Sequence, residues 1–223
     1  MRPINQKMYE DLLNLNFPQN RILKLSNGID SKRFMRLAKN KHEETNFGFV
    51  GRLTKIKNLK FLLEVFIKYF SQYSKDKLLI FGEGPEEKPI LDFNKFNRMD
   101  NNIFLNGFEK DKEKIYANLD VIINTSYGEG ISNVILEAMA TKTFVIASNV
   151  QGNNDLIKHG ETGLLYNINN KKNLLDQLIY YKKNQNLIDQ ILKNAEKQVI
   201  QNYDIEVIAD KLYSFLKTKL FRF

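Results

Sequence analysis

The most constraining feature of this chain is a strand-loop-helix unit at residues 120–140. Asp120-Val-Ile-Ile-Asn124 is a short apolar run bounded by polar residues and reads as a buried strand. Tyr127-Gly-Glu-Gly-Ile-Ser-Asn-Val-Ile-Leu-Glu-Ala-Met-Ala140 opens as a glycine-containing loop and then becomes helical. Ser132 or the glycine before it can cap the helix. Val134, Ile135, Leu136, Ala138 and Met139 then make it apolar nearly all round, so it must be buried. The start of such a helix offers backbone N–H groups from about Gly130 to Asn133, together with the positive end of the dipole. That is an anion site best suited to a phosphate.

Two carboxylates stand in this unit. Glu129 sits in the loop, and Glu137 about two turns into the helix. A buried carboxylate is costly without partners. Spacing alone leaves two readings open. Either the acids complement the helix dipole and Glu137 faces water on a narrow stripe, or they meet a ligand.

The same α/β grammar runs through most of the chain. Strands are expected at Asn46–Val50, Lys77–Phe81, Asn102–Leu105, Val121–Asn124, Phe144–Ala147 and Gly163–Tyr166. Helices are expected between them, near 59–73, 86–98, 112–118 and 132–140. Three more follow, near 171–183, 187–202 and 205–218. Alternation of this kind implies right-handed βαβ units and a doubly wound parallel sheet. At the start, Asn5–Asn16 reads as a short helix ended by Pro18, Arg21–Leu25 alternates like a strand, and Ser26–Asp30 is a turn. Residues 36–46 are polar and read as a loop.

Composition adds bounds. With 223 residues, 43% of them hydrophobic, the chain suits one domain with a real core. No stretch is apolar enough to span a membrane, and the first residues lack the apolar centre of a signal peptide. The absence of cysteine excludes disulfides and thiolate metal sites. His42 and His159 lack metal-ligand spacing and read as surface residues. The net charge of +8 is spread along a Lys-, Asn- and Ile-rich chain and forms no recognisable nucleic-acid module.

In a doubly wound sheet, ligands lie beyond the carboxyl ends of the strands. The loops there are 51–58, 82–85, 107–111, 127–133 and 148–152. Arg52 and Lys57 in the first could neutralise a diphosphate or be merely solvated.

The residues around Glu129 and Glu137, with Thr143-Phe-Val-Ile-Ala-Ser148 and Gly152, resemble the Glu-x7-Glu region of glycosyltransferase family 4. These are retaining enzymes of the GT-B fold that use nucleotide-sugar donors. Asn27-Gly-Ile-Asp30 with Phe34, Gly51-Arg-Leu53 with Lys57-Asn58, Gly82-Glu-Gly-Pro85 and Phe104-Leu-Asn-Gly-Phe108 are similar to further segments of that family. The resemblance implies that residues 26–223 are a Rossmann-like donor-binding domain, the C-terminal half of a GT-B fold with extra C-terminal helices. Residues 1–25 would then be linker or the remnant of an N-terminal domain. It implies that Arg52 and Lys57 hold the donor diphosphate and that Glu129 meets hydroxyls of the donor sugar. Glu137 would bind the ribose, and Gly107 and Phe108 would lie beside the base. Gly130, Ile131, Ser132 and Asn133 would offer N–H groups to sugar and phosphate. By itself, Phe108 reads equally well as a core residue at a strand end.

The implied reaction is retaining transfer of a sugar, of hexosyl type, to an acceptor hydroxyl in bacterial-type glycan or glycolipid synthesis, with no metal required. Partners would be a nucleotide sugar, an acceptor glycan or glycolipid, and an N-terminal acceptor domain on another chain, but no nucleic acid. The implied location is the cytoplasm, with a peripheral place at the inner membrane face as its variant. The segment Ala140-Thr-Lys-Thr-Phe-Val145 departs from the family's Ala-x-Gly-x-Pro-Val and so changes a turn. The resemblance covers only the donor half, so a fragment, a truncated product or half of a split enzyme is expected. Three other readings compete: a nucleotide-sugar sensor or partner subunit, a two-carboxylate hydrolase, and a basic nucleic-acid-binding protein. Ile208, Leu212, Phe215 and Leu216, with Leu220–Phe223, form an apolar stripe expected to promote association.

Overall fold

The computed structural model describes residues 1–220. Six strands form one sheet: β1 (Asn46–Val50), β2 (Lys77–Phe81), β3 (Ile103–Gly107), β4 (Val121–Asn124), β5 (Phe144–Ser148) and β6 (Leu164–Tyr166). Their spatial order is β3-β2-β1-β4-β5-β6, and every neighbouring pair is parallel. The chain winds outward through β1–β3, returns to the middle, and winds the other way through β4–β6. The doubly wound sheet is as expected, and its switch point lies between β1 and β4. A crevice opens there beyond the carboxyl ends of the strands.

The continuous apolar run of β4 is explained by burial on both faces. Val121 and Ile123 join one core, Ile122 the other. The first core lies under α3 (Leu59–Phe70), α4 (Glu87–Asn97) and α7 (Lys171–Lys183). It is rich in rings, with Phe47 edge-on to both Phe66 and Tyr69. The second lies under α2 (Ser31–Met35), α5 (Lys112–Ala117), α6 (Asn133–Ala140) and α8 (Gln185–Asn202). Ile135, Leu136, Ala138, Met139 and Ala140 of α6 are all buried, as their unbroken apolar character requires.

Two segments differ from expectation. Residues 21–25 are not a sheet strand. A 3-10 turn at Gln19–Arg21 leads into an extended stretch whose Leu23 and Leu25 N–H groups donate to the carbonyls of Met1 and Pro3. Ile22 and Leu25 are buried, three residues apart rather than in strand alternation, and the pairing is with the first residues rather than with the sheet. Second, the Ser26–Asp30 turn continues into the short helix α2, because the Asp30 carboxylate accepts from Arg33 N–H and caps it.

At the start, α1 (Gln6–Asn14) is capped by Asn5. At the other end, α9 (Ile205–Leu220) keeps Ile208 buried and leaves Leu212 and Leu216 exposed. The rest of the expected apolar tail, residues 221–223, lies outside the described residues.

Candidate functional site

The loop between β4 and α6 forms one wall of the crevice. Ser132 is the residue before α6, and its extended backbone (φ −84°, ψ 109°) caps the helix without a side-chain hydrogen bond. Among the described residues, nothing accepts from the backbone N–H groups of Gly130, Ile131, Ser132 or Asn133. Donors at a helix start that find no partner in the protein carry a partial positive charge.

Glu129 is fixed from three sides. Its Oε1 accepts from Lys57 Nζ at 2.6 Å, Ser126 Oγ at 2.6 Å and Asn124 Nδ2 at 3.2 Å. All three bonds fall on Oε1, and Oε2 has no hydrogen-bond partner among the described residues. Burial pushes this carboxyl up, but the lysine, the hydroxyl and the amide outweigh it and hold it below its usual 4.5. Lys57 comes from the loop after β1, at the end of a 3-10 turn that Asn58 closes in the left-handed region (φ 54°). The two loops are tied by their backbones. Tyr127 N–H donates to the Ile56 carbonyl at 2.9 Å, and Thr125 Oγ1 to the Lys57 carbonyl at 2.7 Å.

Glu137 is only 3% exposed, so the narrow solvated stripe is ruled out. Tyr116 Oη donates to its Oε2 at 2.8 Å, and Lys112 pairs with its Oε1. Burial first, then the adjacent Glu137 carboxylate, hold the Tyr116 phenol well above its usual range, so it remains a donor. Lys112 and Tyr116 stand one turn apart on α5 and reach the same carboxylate from one helix face.

These groups line two adjoining chambers. One, of about 430 Å³, is bounded by Gly51, Arg52, Gly82, Phe108, Lys112, Tyr116, Asn133 and Glu137. The other, of about 330 Å³, is bounded by Arg52, Lys57, Asn124, Ser132 and Val134. Arg52 belongs to both, is exposed, and makes no ion pair among the described residues. Phe108 is not a core residue: it is 69% exposed and lines the larger chamber.

The remaining expected residues do not line either chamber with their side chains. Glu129 reaches the smaller one through Lys57 and Asn124, which bound it. Gly107 accepts from Gly82 N–H at 2.7 Å and so ties the ends of β2 and β3. Ile131 turns into the second core, and Gly130 faces the first residues of the chain. The Gly82-Glu-Gly-Pro85 turn has a steric cause: a Cβ on Gly82 would lie 1.9 Å from the Gly51 carbonyl oxygen, so only glycine lets these loops meet.

Sequence reasoning missed Lys112, Tyr116, Asn124 and Ser126. The Lys112–Tyr116 spacing at the start of a short helix was a usable signal. Nothing local marks Asn124 or Ser126. Among the described residues, no three His, Cys, Asp or Glu side chains gather as they would around a metal ion.

Residues 44–184 match the family model described as glycosyl transferases group 1. The capsular polysaccharide biosynthesis glycosyltransferase CapM of Staphylococcus aureus is 30% identical over 205 residues, covering 87% of this chain and 54% of that protein. The poly(ribitol-phosphate) alpha-N-acetylglucosaminyltransferase of Staphylococcus aureus strain COL is 26% identical, covering 77% of this chain and 35% of its own length. The chain thus spans about half or less of these curated relatives. Among solved structures, a glycosyltransferase from Rickettsia africae superposes with a TM-score of 0.89 at 20% identity, covering all of this chain and 64% of that one. Anabaena Alr3699/HepE, solved in complex with UDP and glucose, superposes at 0.84 with 19% identity, covering 97% of this chain and 62% of that one. At those identities the superpositions establish the fold: the doubly wound layout found in GT-B glycosyltransferases, with added C-terminal helices. With residues 44–184 matched to the family model and most of its length aligned to a relative at 30% identity, the chain belongs to the group 1 family of glycosyl transferases.

Proposed function

We propose that this chain is the donor-binding part of a retaining glycosyltransferase of family 4. It would take a hexosyl group from a nucleotide diphosphate sugar and pass it to a hydroxyl of a bacterial-type glycan or glycolipid. The observation that carries this reading is the meeting of three groups at one crevice: the unpartnered N–H groups before α6, the Lys57–Glu129 pair, and Arg52.

Each group has a task. The larger chamber takes the nucleoside, with Phe108 beside the base and Glu137 on the ribose. Arg52, the N–H groups of residues 130–133 and the two Lys57 donors not given to Glu129 stabilise the diphosphate as it leaves. Glu129 keeps its charge and turns Oε2 to the sugar hydroxyls. These groups supply the electrostatic stabilisation without a resident metal. The UDP bound by Alr3699/HepE and by TarM of Staphylococcus aureus favours a nucleotide ligand here as well. Residues 26–223 form the donor domain and residues 1–25 its junction to an acceptor-binding part, at the cytoplasmic side of a membrane.

Calorimetry with a panel of nucleoside diphosphates tests the reading. Binding to at least one is expected, and no binding at millimolar ligand would count against it. Tight binding to mixed-sequence DNA at physiological salt would point to nucleic acid instead. Transfer depends on orienting both substrates. Little or no transfer is therefore expected from these 223 residues alone. Robust transfer would show that the acceptor needs no further domain.

A further inference from the structure

The first residues of the chain close on the loop that carries Glu129. Asn5 is only 5% exposed, and both ends of its amide are used. Its Oδ1 accepts from Met8 N–H at 3.0 Å, which caps α1. Its Nδ2 donates to the Gly130 carbonyl at 3.2 Å, 125 residues away. Beside it, Ile4 Cδ1 lies 2.9 Å from where a Cβ on Gly130 would be. The same carbonyl is also approached closely by Gly152, whose absent Cβ would lie 2.4 Å from the Gly130 carbonyl oxygen and 2.5 Å from that of Glu129.

Neighbouring contacts make this a strap. Leu25 N–H donates to the Pro3 carbonyl at 3.1 Å, and Arg2 Nη2 to the Ser26 carbonyl at 3.2 Å. Asn27 Nδ2 then donates to Asn133 Oδ1 at 3.0 Å, on the first residue of α6. The loop between Glu129 and α6 is thus gripped by side chains from residues 4, 5 and 27. Nothing in the local sequence of that loop calls for them.

We propose that Asn5 is a positioning residue for the sugar-binding loop, latching α1 to the Gly130 carbonyl so that the tilt of α1 sets where Glu129 meets the donor sugar. The inference rests on the donor-binding role argued above. Physically, the side chain of Glu129 is held on the inner side through Oε1, and its backbone on the outer side through Gly130. Loss of the outer hold lets the peptide rotate while the Lys57 pair stays formed. Movement of α1 is thereby linked to sugar binding more than to nucleotide binding, because the strap meets the larger chamber only where Asn27 reaches Asn133, whereas it grips the residue next to Glu129 directly.

The test separates the latch from the cap. Asn5→Asp and Asn5→Ser keep an oxygen for Met8 N–H, since Asp and Ser cap helices as well as Asn does. Both lose the amide that donates to Gly130, and the serine carries no charge that could act for other reasons. In the ligand-free 223-residue chain, both variants are expected to keep helical shifts in α1. The Ile131 amide, bonded to the Gly130 carbonyl, should shift, and residues 128–133 should broaden on the microsecond–millisecond scale. Unchanged loop spectra in both variants would overturn the latch.

With UDP and UDP-glucose as probes, UDP-glucose affinity should fall about two- to tenfold, the range for one neutral hydrogen bond, and UDP affinity by distinctly less, since UDP meets the N–H groups of the loop but not Glu129. A parallel fall for both ligands would show a merely structural role and would also overturn it. A parent chain that binds neither probe would defeat the donor-binding reading, and the loop spectra would still decide the latch.

Discussion

Glu129 and Glu137 arise from one strand-loop-helix unit, yet their surroundings hold them differently. Glu129 is gripped at a single oxygen by three donors, and its Oε2 has no partner among the described residues. Glu137 has both oxygens taken within α5 and α6, one by Tyr116 and one by Lys112. The lysines differ as well. The side chain of Lys57 is 24% exposed and that of Lys112 is 47% exposed, so Lys112 has the more open path to water. Glu129 is a charged acceptor fixed at one oxygen, whereas Glu137 has both oxygens engaged, one of them by the more exposed Lys112. The same residue type is therefore held in two different ways within one unit.

The largest test breaks what the chambers share. Arg52→Ala with Lys57→Ala removes the cations of the proposed diphosphate position. Each charge-assisted contact is worth roughly 1.5–3 kcal/mol, so nucleoside diphosphate affinity should fall well over tenfold by calorimetry. A change below threefold would mean that the helix start holds the phosphates by itself.

Next come the carboxylates singly. Glu137→Gln keeps the shape and loses the charge, and nucleoside diphosphate affinity should fall by about 1–3 kcal/mol. Glu129→Gln should leave that affinity nearly unchanged and weaken the sugar-bearing donor instead. Mutants that alter only the melting temperature, each by about 0.3–1 kcal/mol through the helix dipole, would abolish the distinction between chambers.

A smaller effect is expected from Lys112→Met. Lys112 is half exposed and screened by solvent although Glu137 is buried, and Tyr116 still holds the carboxylate, so about 0.2–1 kcal/mol of nucleotide affinity is at stake. A larger loss, approaching that of Glu137→Gln, would show Lys112 to be as fixed as Lys57.

The smallest effect concerns pH. The folded-state pKa of Glu129 lies below its usual 4.5. Its ionised form is thus favoured by folding. The stability this contributes is fully present above pH 4.5 and is lost as pH falls through the lower folded value. The melting temperature of the wild type relative to Glu129→Gln should hold steady from pH 8 to 5 and narrow only in more acid solution. A difference that begins to shrink at pH 6 would put the carboxyl above its usual range and contradict the three-donor grip.

How much of this was legible beforehand follows from physical range. The apolar run of β4 and the all-round apolar α6 could only be a strand and helix buried in an α/β sheet. The glycines, Arg52, Lys57 and the two glutamates could be placed at the strand ends from spacing and resemblance. Those readings depend on short-range periodicity, which a sequence displays directly. The partners of the carboxylates depend on contacts across long stretches of chain, as with Lys57 and Glu129 or Asn5 and Gly130, and no local pattern announces them. The tertiary structure alone decided that Phe108 leaves the core for the cleft, because its burial depends on which loops close over the end of β3. It likewise decided that residues 21–25 pair with the first residues of the chain, since extended backbone takes whichever neighbour has donors and acceptors to offer.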